Sequence, residues 1–333
     1  MTKILVVAPA WIGDTILAQP LLSRLHERHA GLVLDVLAAK WSAPLLARMP
    51  EVREVIDSPF GHGEFKFAER VKLARDIKSA GYDEAIVLPN SWKSALIPFL
   101  AGIPKRSGYV GESRYGLINN RYRLDKDKHP RLADRYLRLA DDVGSEANLS
   151  LRRPHLQSTR EQQRAARAAL DLPLDGSPIV FCPGAEYGPA KRWPARYFAT
   201  LASAVADAAD PVWLVGSSKD ALVGAKIEEL CHGAAKNLCG LTTLEQAIDL
   251  IAGARHVVCN DSGLMHVAAA LERPLVAVFG SSSFNYTPPM SPRAKIVSLQ
   301  LECSPCFKRE CPFGHLYCLN DLTPDRVLAA MRS

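Results

Sequence analysis

Four stretches of this 333-residue chain hold side chains that chemistry uses. In AWIGDTILAQP (10–20), Asp14 stands where an apolar run gives way to a helical pattern. A carboxylate there serves either as a general base or as a helix cap. Counting a helix from Thr15 puts Pro20 at its sixth position, where proline removes a backbone bond and clashes. The spacing therefore predicts a kink there, or winding that starts only near Leu17 with Asp14 in a loop. In GAEYGPAKRWP (184–194), Gly184, Gly188 and Pro189 dictate a tight path ahead of Lys191 and Arg192, and Pro194 opens a helix. Two cations on a glycine-bearing turn suit a phosphate; a solvated surface loop is the equal alternative. In CNDSGLMHVAAALERP (259–274), Asp261 or Ser262 caps a helix whose N-terminus offers donors to a diphosphate, with His266 one turn in. Singly, Asp261 reads as a cap and His266 as a core residue. In CSPCFKRECPFGHLYC (303–318), Cys303, Cys306, Cys311 and Cys318 surround His315. Four thiols suffice for a tetrahedral structural zinc, although the last gap is not a common finger spacing; free thiols or a redox-sensitive disulfide are the alternatives.

The elements that must position these residues alternate. Apolar runs at 4–10, 32–39, 53–59 and 84–90, and again at 178–185, 211–217, 256–261, 274–280 and 294–300, read as strands. Helical patterns lie between them, such as 67–81, which Gly81 stops. The alternation predicts an α/β fold of two Rossmann-like, doubly wound domains, with ligands at the carboxyl ends of strands and the site in a central cleft that the two domains face. We expect a first domain over 1–155, an Arg-rich linker over 156–176, a second domain over 177–320, and a last helix, 321–333, that packs back on the first domain. Cys182, Cys231, Cys239 and Cys259 are expected in the core.

Composition narrows the function. The chain is 48% apolar and 23% charged, as a globular protein is, and its net charge of +6 is too dispersed to argue for nucleic acid. Its apolar runs are strand-sized, and the strand that opens it leaves no room for a signal peptide, so a cytoplasmic protein is expected. Neither G-x-G-x-x-G nor G-x-x-x-x-G-K-[ST] occurs, which argues against a nicotinamide or flavin enzyme and a P-loop kinase.

WIGD, PGAEYGPAKRWP and NDSGLMHVAAA in this order resemble the ADP-heptose:lipopolysaccharide heptosyltransferases, glycosyltransferase family 9. The stretches 88–119 and 49–63 are most similar to the branch that adds a heptose to the first heptose of the lipopolysaccharide inner core. The resemblance implies a GT-B architecture, an inverting transfer from ADP-heptose, no catalytic metal, and work at the cytoplasmic face of the inner membrane in peripheral contact with it. It makes Asp14 the base, kept ionised by nearby backbone N–H groups, with Gly13 admitting the acceptor. Gly184, Glu186, Tyr187 and Lys191 then bind the nucleotide sugar. So do Thr242, Asp261, Ser262, Gly263 and His266. Among the basic residues of the first half, Lys93, Arg106 and Arg114 are expected to meet the anionic, lipid-linked acceptor. The branch that adds the first heptose is the near alternative. A nucleotide-sugar epimerase on the same scaffold, or a non-catalytic nucleotide-sugar-binding module, is the alternative of another class.

Overall fold

A computed structural model of the chain describes residues 1–61, 64–145, 152–206 and 210–333. Residues 62–63, which close the stretch 49–63, and 146–151, which fall within the expected first domain, lie outside the described residues.

The chain divides into two units, Met1–Pro154 and His155–Ser333. In the first, β1 (Lys3–Val7), β2 (Val33–Ala38), β3 (Glu54–Asp57), β4 (Glu84–Val87), β5 (Lys105–Tyr109) and β6 (Asn120–Tyr122) form one parallel sheet in the order β3-β2-β1-β4-β5-β6. Six helices accompany them: α1 (Ile12–Leu17), α2 (Gln19–Arg28), α3 (Ala43–Leu46), α4 (Phe67–Ala80), α5 (Trp92–Leu100) and α6 (Leu132–Leu137). Strands covered on both faces need unbroken apolar runs, and Ile4–Val7 and Ala85–Val87 are buried throughout. α4 ends where expected, because Gly81 takes the left-handed conformation (φ 65°) that closes a helix.

The second unit repeats the pattern. Its strands are β7 (Ile179–Cys182), β8 (Val212–Leu214), β9 (Ala235–Asn237), β10 (His256–Asn260), β11 (Leu275–Val278) and β12 (Ala294–Val297), in the order β12-β11-β10-β7-β8-β9. Its helices are α7 (Arg160–Ala168), α8 (Ala195–Val205), α9 (Ala221–Leu230), α10 (Leu244–Ala252), α11 (Gly263–Ala270), α12 (Tyr317–Asn320) and α13 (Pro324–Arg332). Each sheet thus reverses direction once, between β1 and β4 in the first unit and between β7 and β10 in the second. Ligands of such sheets bind at the carboxyl ends of the strands beside that reversal.

Three details differ from expectation. The stretch 156–176 is no linker but part of the second unit: α7 carries a full capping box, and Ser158 donates to Asp249 of α10 at 2.7 Å. Arg167 lies buried there over the Trp213 ring. The final helix packs into the core of its own unit, where Val327 is buried with Phe198 and Val276. The short strands β5, β6 and β9 escaped the sequence reading. Cys182, Cys231, Cys239 and Cys259 are core residues, as expected. Among the described residues, no helix is long and apolar enough to cross a membrane.

Candidate active site

In the second unit, the loops after β7 and β10 bring the predicted residues together. Asn260, fully buried, ties the two loops: its side chain accepts from the Trp193 N–H at 3.0 Å and donates to the Pro183 carbonyl at 2.7 Å. Lys191 Nζ meets Asp261 Oδ2 at 2.5 Å, and the Ser282 hydroxyl donates to the same oxygen. Asp261 is therefore an ion-pair partner rather than a helix cap. The N-cap of α11 is Ser262, whose side chain makes no capping bond. The first N–H groups of α11 thus have no side-chain partner, the condition in which a helix terminus receives an anion.

Four polar atoms on α11 or on the loops after β7, β10 and β11 are buried without a hydrogen-bond partner. They are Ser262 Oγ, Ser281 Oγ, Arg192 Nε and His266 Nδ1. Native proteins rarely orphan such groups except where something binds. Burial pushes the His266 pKa down to about 4, against the raising field of Asp261, so the ring is neutral at pH 7. The packed reading of His266 holds, with one nitrogen left over.

The glycines of the loop are required by packing. A Cβ on Gly184 would lie 2.3 Å from the Asp220 carboxylate, and one on Gly188 (φ 155°) would lie 2.6 Å from the Arg309 carbonyl. Tyr187 donates to the Phe307 carbonyl at 2.8 Å, while Lys191 and Arg309 stand over its ring at 5.1 and 5.4 Å. Glu186 pairs with Lys219. Thr242 precedes Thr243, which caps α10 through a capping box with Gln246. Sequence reasoning missed Asn260, Ser281 and Ser282. The run GSSS (280–283), at the end of a buried strand, was the signal for the serines.

In the first unit, Asp14 follows β1 directly. The winding begins at Ile12 with Trp11 as the N-cap, so Asp14 occupies the first turn of α1 and is neither cap nor loop residue. The winding is interrupted at Ala18, close to the kink expected at Pro20, and Pro20 falls in the first turn of α2, where its missing N–H costs nothing. Gly13 is buried beside Asp14. The basic candidates separate. Arg114 is 2% exposed and donates to the carbonyls of Pro89 (2.7 Å) and Tyr109 (2.6 Å) and to Asn90 Oδ1 (2.7 Å). Arg106 donates to the Leu117 and Ile103 carbonyls at 2.8 and 2.5 Å. Both guanidinium groups thus brace the carbonyls of their own loops. Lys93 is the second residue of α5, at the carboxyl end of β4.

The cysteine cluster also comes together. Cys303, Cys306, Cys311 and Cys318 line one small pocket with His315. Burial, and then the three neighbouring thiols, push the Cys318 thiol up to about 11.

Comparison with known proteins decides the family. The sequence profile of glycosyltransferase family 9 (heptosyltransferase) matches residues 70–317. The chain is 44% identical to lipopolysaccharide heptosyltransferase 2 of Escherichia coli K12, over 99% of this chain and 98% of that one. The chain belongs to glycosyltransferase family 9. Its structure matches that of the E. coli ADP-heptose lipopolysaccharide heptosyltransferase II with a TM-score of 0.89 at 42% identity, over 99% of this chain and 98% of the other. A family 9 structure from Veillonella parvula, at 22% identity and a TM-score of 0.84 (99% of this chain, 96% of that one), shares the fold. The protein is thus a glycosyltransferase of the α/β, GT-B class, as its two Rossmann-like units imply.

Proposed function

We propose that this family 9 enzyme transfers L-glycero-D-manno-heptose from ADP-heptose to the first heptose of the lipopolysaccharide inner core, with inversion, as a heptosyltransferase II. The observation that carries the donor half is the Lys191–Asp261 pair just ahead of the N-terminus of α11, whose N-cap Ser262 makes no capping bond and keeps a buried, unpartnered hydroxyl. The full-length similarity to enzymes named heptosyltransferase 2 supports the acceptor half.

The chemistry follows from the groups present. The diphosphate takes the α11 N–H groups and Lys191 Nζ, and Asp261 turns an oxygen to a sugar hydroxyl. The acceptor hydroxyl oxygen attacks the anomeric carbon, and the bond to the diphosphate oxygen breaks with its electron pair leaving on ADP. Asp14 takes the hydroxyl proton. A carboxylate suffices as base because the hydroxyl turns acidic only as its bond to the oxocarbenium-like carbon forms. Lys191 and the helix terminus neutralise the leaving diphosphate, the work a divalent cation does elsewhere.

The acceptor is lipid-linked, and the enzyme works in peripheral contact with the cytoplasmic face of the inner membrane. Exposed Phe65, Phe67 and Trp92 support this contact: Phe65 lies 5.8 Å from the Phe67 ring and 5.3 Å from the Trp92 ring, beside exposed Lys66. Aromatic and basic side chains together suit a headgroup region.

Measuring ADP release from ADP-heptose with acceptors bearing zero, one or two heptoses tests the reading. Release with the one-heptose acceptor alone is expected. Release only with the heptose-free acceptor would assign the first transfer instead, and epimerised sugar formed without acceptor would reject transfer.

A further inference from the structure

The four clustered thiols lie outside the proposed transfer chemistry, yet they sit in the segment that buttresses the donor loop. Residues 298–316 join β12 to α12 with no helix or strand of their own. Connections beyond about 12–15 residues without such structure are uncommon in compact domains. This one also holds Gln300, Phe307 and Leu316 at positive φ (48°, 54° and 50°), conformations that non-glycine residues keep only under constraint. Among the described residues, no three carboxylate, imidazole or thiol groups stand as a ready-made metal site. What the structure does show is convergence: Cys303, Cys306, Cys311 and Cys318 line one pocket.

Two further contacts define the ligand set. The Leu316 N–H donates to Cys311 Sγ at 3.4 Å, the backbone-to-sulfur bond that steadies a thiolate ligand. His315 is committed elsewhere. Its Nδ1 accepts from the Tyr317 N–H at 3.0 Å, and its ring stacks on Tyr317 and Phe313 with centroids 4.1 and 5.5 Å away. The set is therefore four sulfurs, which suits zinc, and the spacing matches neither ferredoxin pattern of iron–sulfur ligation.

The same segment touches the donor loop at several points. The Phe307 N–H donates to the Ser281 carbonyl at 2.7 Å, and the Ala190 N–H donates to the Arg309 carbonyl at 3.0 Å. Tyr187 reaches the Phe307 carbonyl, and the Ser304 hydroxyl donates to the Gly280 carbonyl. We infer that Cys303, Cys306, Cys311 and Cys318 bind one structural zinc ion, and that this zinc staple fixes the loop carrying Lys191. The second clause rests on the donor-site reading above.

Binding turns four thiols into thiolates and releases their protons to solvent, with no change of oxidation state.

The test uses the full chain, purified under reducing conditions without chelators. Elemental analysis is expected to find about one zinc per chain. Cys306→Ser and Cys311→Ser should each lose it while circular dichroism shows the sheets intact, and Co²⁺ loaded into the wild type should give the thiolate charge-transfer absorption of a tetrahedral site. A metal-free wild type that refuses Co²⁺, iron in place of zinc, a disulfide within the cluster, or full zinc in both variants would each overturn the site. Zinc-depleted protein should bind ADP roughly tenfold more weakly by calorimetry. Unchanged ADP affinity overturns the staple's role. Wild type that holds zinc yet never binds ADP leaves the metal site standing and refutes the donor-site reading.

Discussion

Lys191 and Asp261 form an ion pair at 2.5 Å, with side chains 18% and 5% exposed, although they are seventy residues apart in sequence. The pair exists because two neighbouring strand-end loops are locked together through Asn260. It also keeps the cation in place before any phosphate arrives, so little reorganisation is needed at the moment of reaction.

Lys191→Ala should therefore lower turnover by on the order of 10²–10³ and raise the KM for ADP-heptose. The variant also leaves Asp261 buried without its cation, a loss of about 3–5 kcal/mol when a buried pair is broken. Adding Asp261→Asn should recover melting temperature without recovering turnover. Steady-state kinetics and thermal melts of the single and double variants check both halves.

His266 makes stability depend on pH. Its folded pKa of about 4 lies below the ordinary 6.5, so the unfolded chain binds the extra proton first. The neutral ring's contribution is complete above pH ~6.5 and is lost as pH falls toward ~4, by roughly 3 kcal/mol in all. Denaturant midpoints of wild type and His266→Gln across pH 4–8 should diverge in slope over that window, with the variant flatter.

Gly188→Ala sets a Cβ against the Arg309 carbonyl at 2.6 Å, and a backbone atom cannot swing aside as a side chain does. The variant should lose about 1–3 kcal/mol and bind donor more weakly, because the strain falls on the loop that carries Lys191. Melting temperature and ADP affinity should fall together.

Arg114 and Lys93 should part company. Arg114→Ala orphans the carbonyls of Pro89 and Tyr109 and should cost about 2–4 kcal/mol of stability. Its folded fraction should keep the acceptor KM. Lys93→Ala should raise the acceptor KM. Thermal melts beside acceptor titrations separate the two.

The legible parts of the sequence were those fixed by local chemistry. Short, β-branched apolar runs such as ILVV and LVAV suit strands covered on both faces, so the central strands were readable. Gly81 marked a helix end because glycine readily takes the left-handed conformation that closes one. β5 (KRSGY) and the edge strands β6 (NRY) and β9 (AKN) carry polar residues because their sheet edge or strand end meets water, and they vanished into apparent loops. α1 was misplaced because its N-cap is Trp11, a residue that signals no helix start. The loops holding Lys191 and Asp261 were legible from their place after strands. The fate of Arg114 was not, because an arginine that braces carbonyls and one that meets a phosphate look alike until their neighbours are known.

In the proposed transfer, Asp14 takes the acceptor's proton. The direct measurement is ADP release by Asp14→Ala with ADP-heptose and the one-heptose acceptor, beside calorimetric ADP-heptose affinity. With Asp14 as the base, turnover should fall by roughly 10²–10⁴ while donor affinity stays within about twofold. Near-normal turnover in that variant would contradict it.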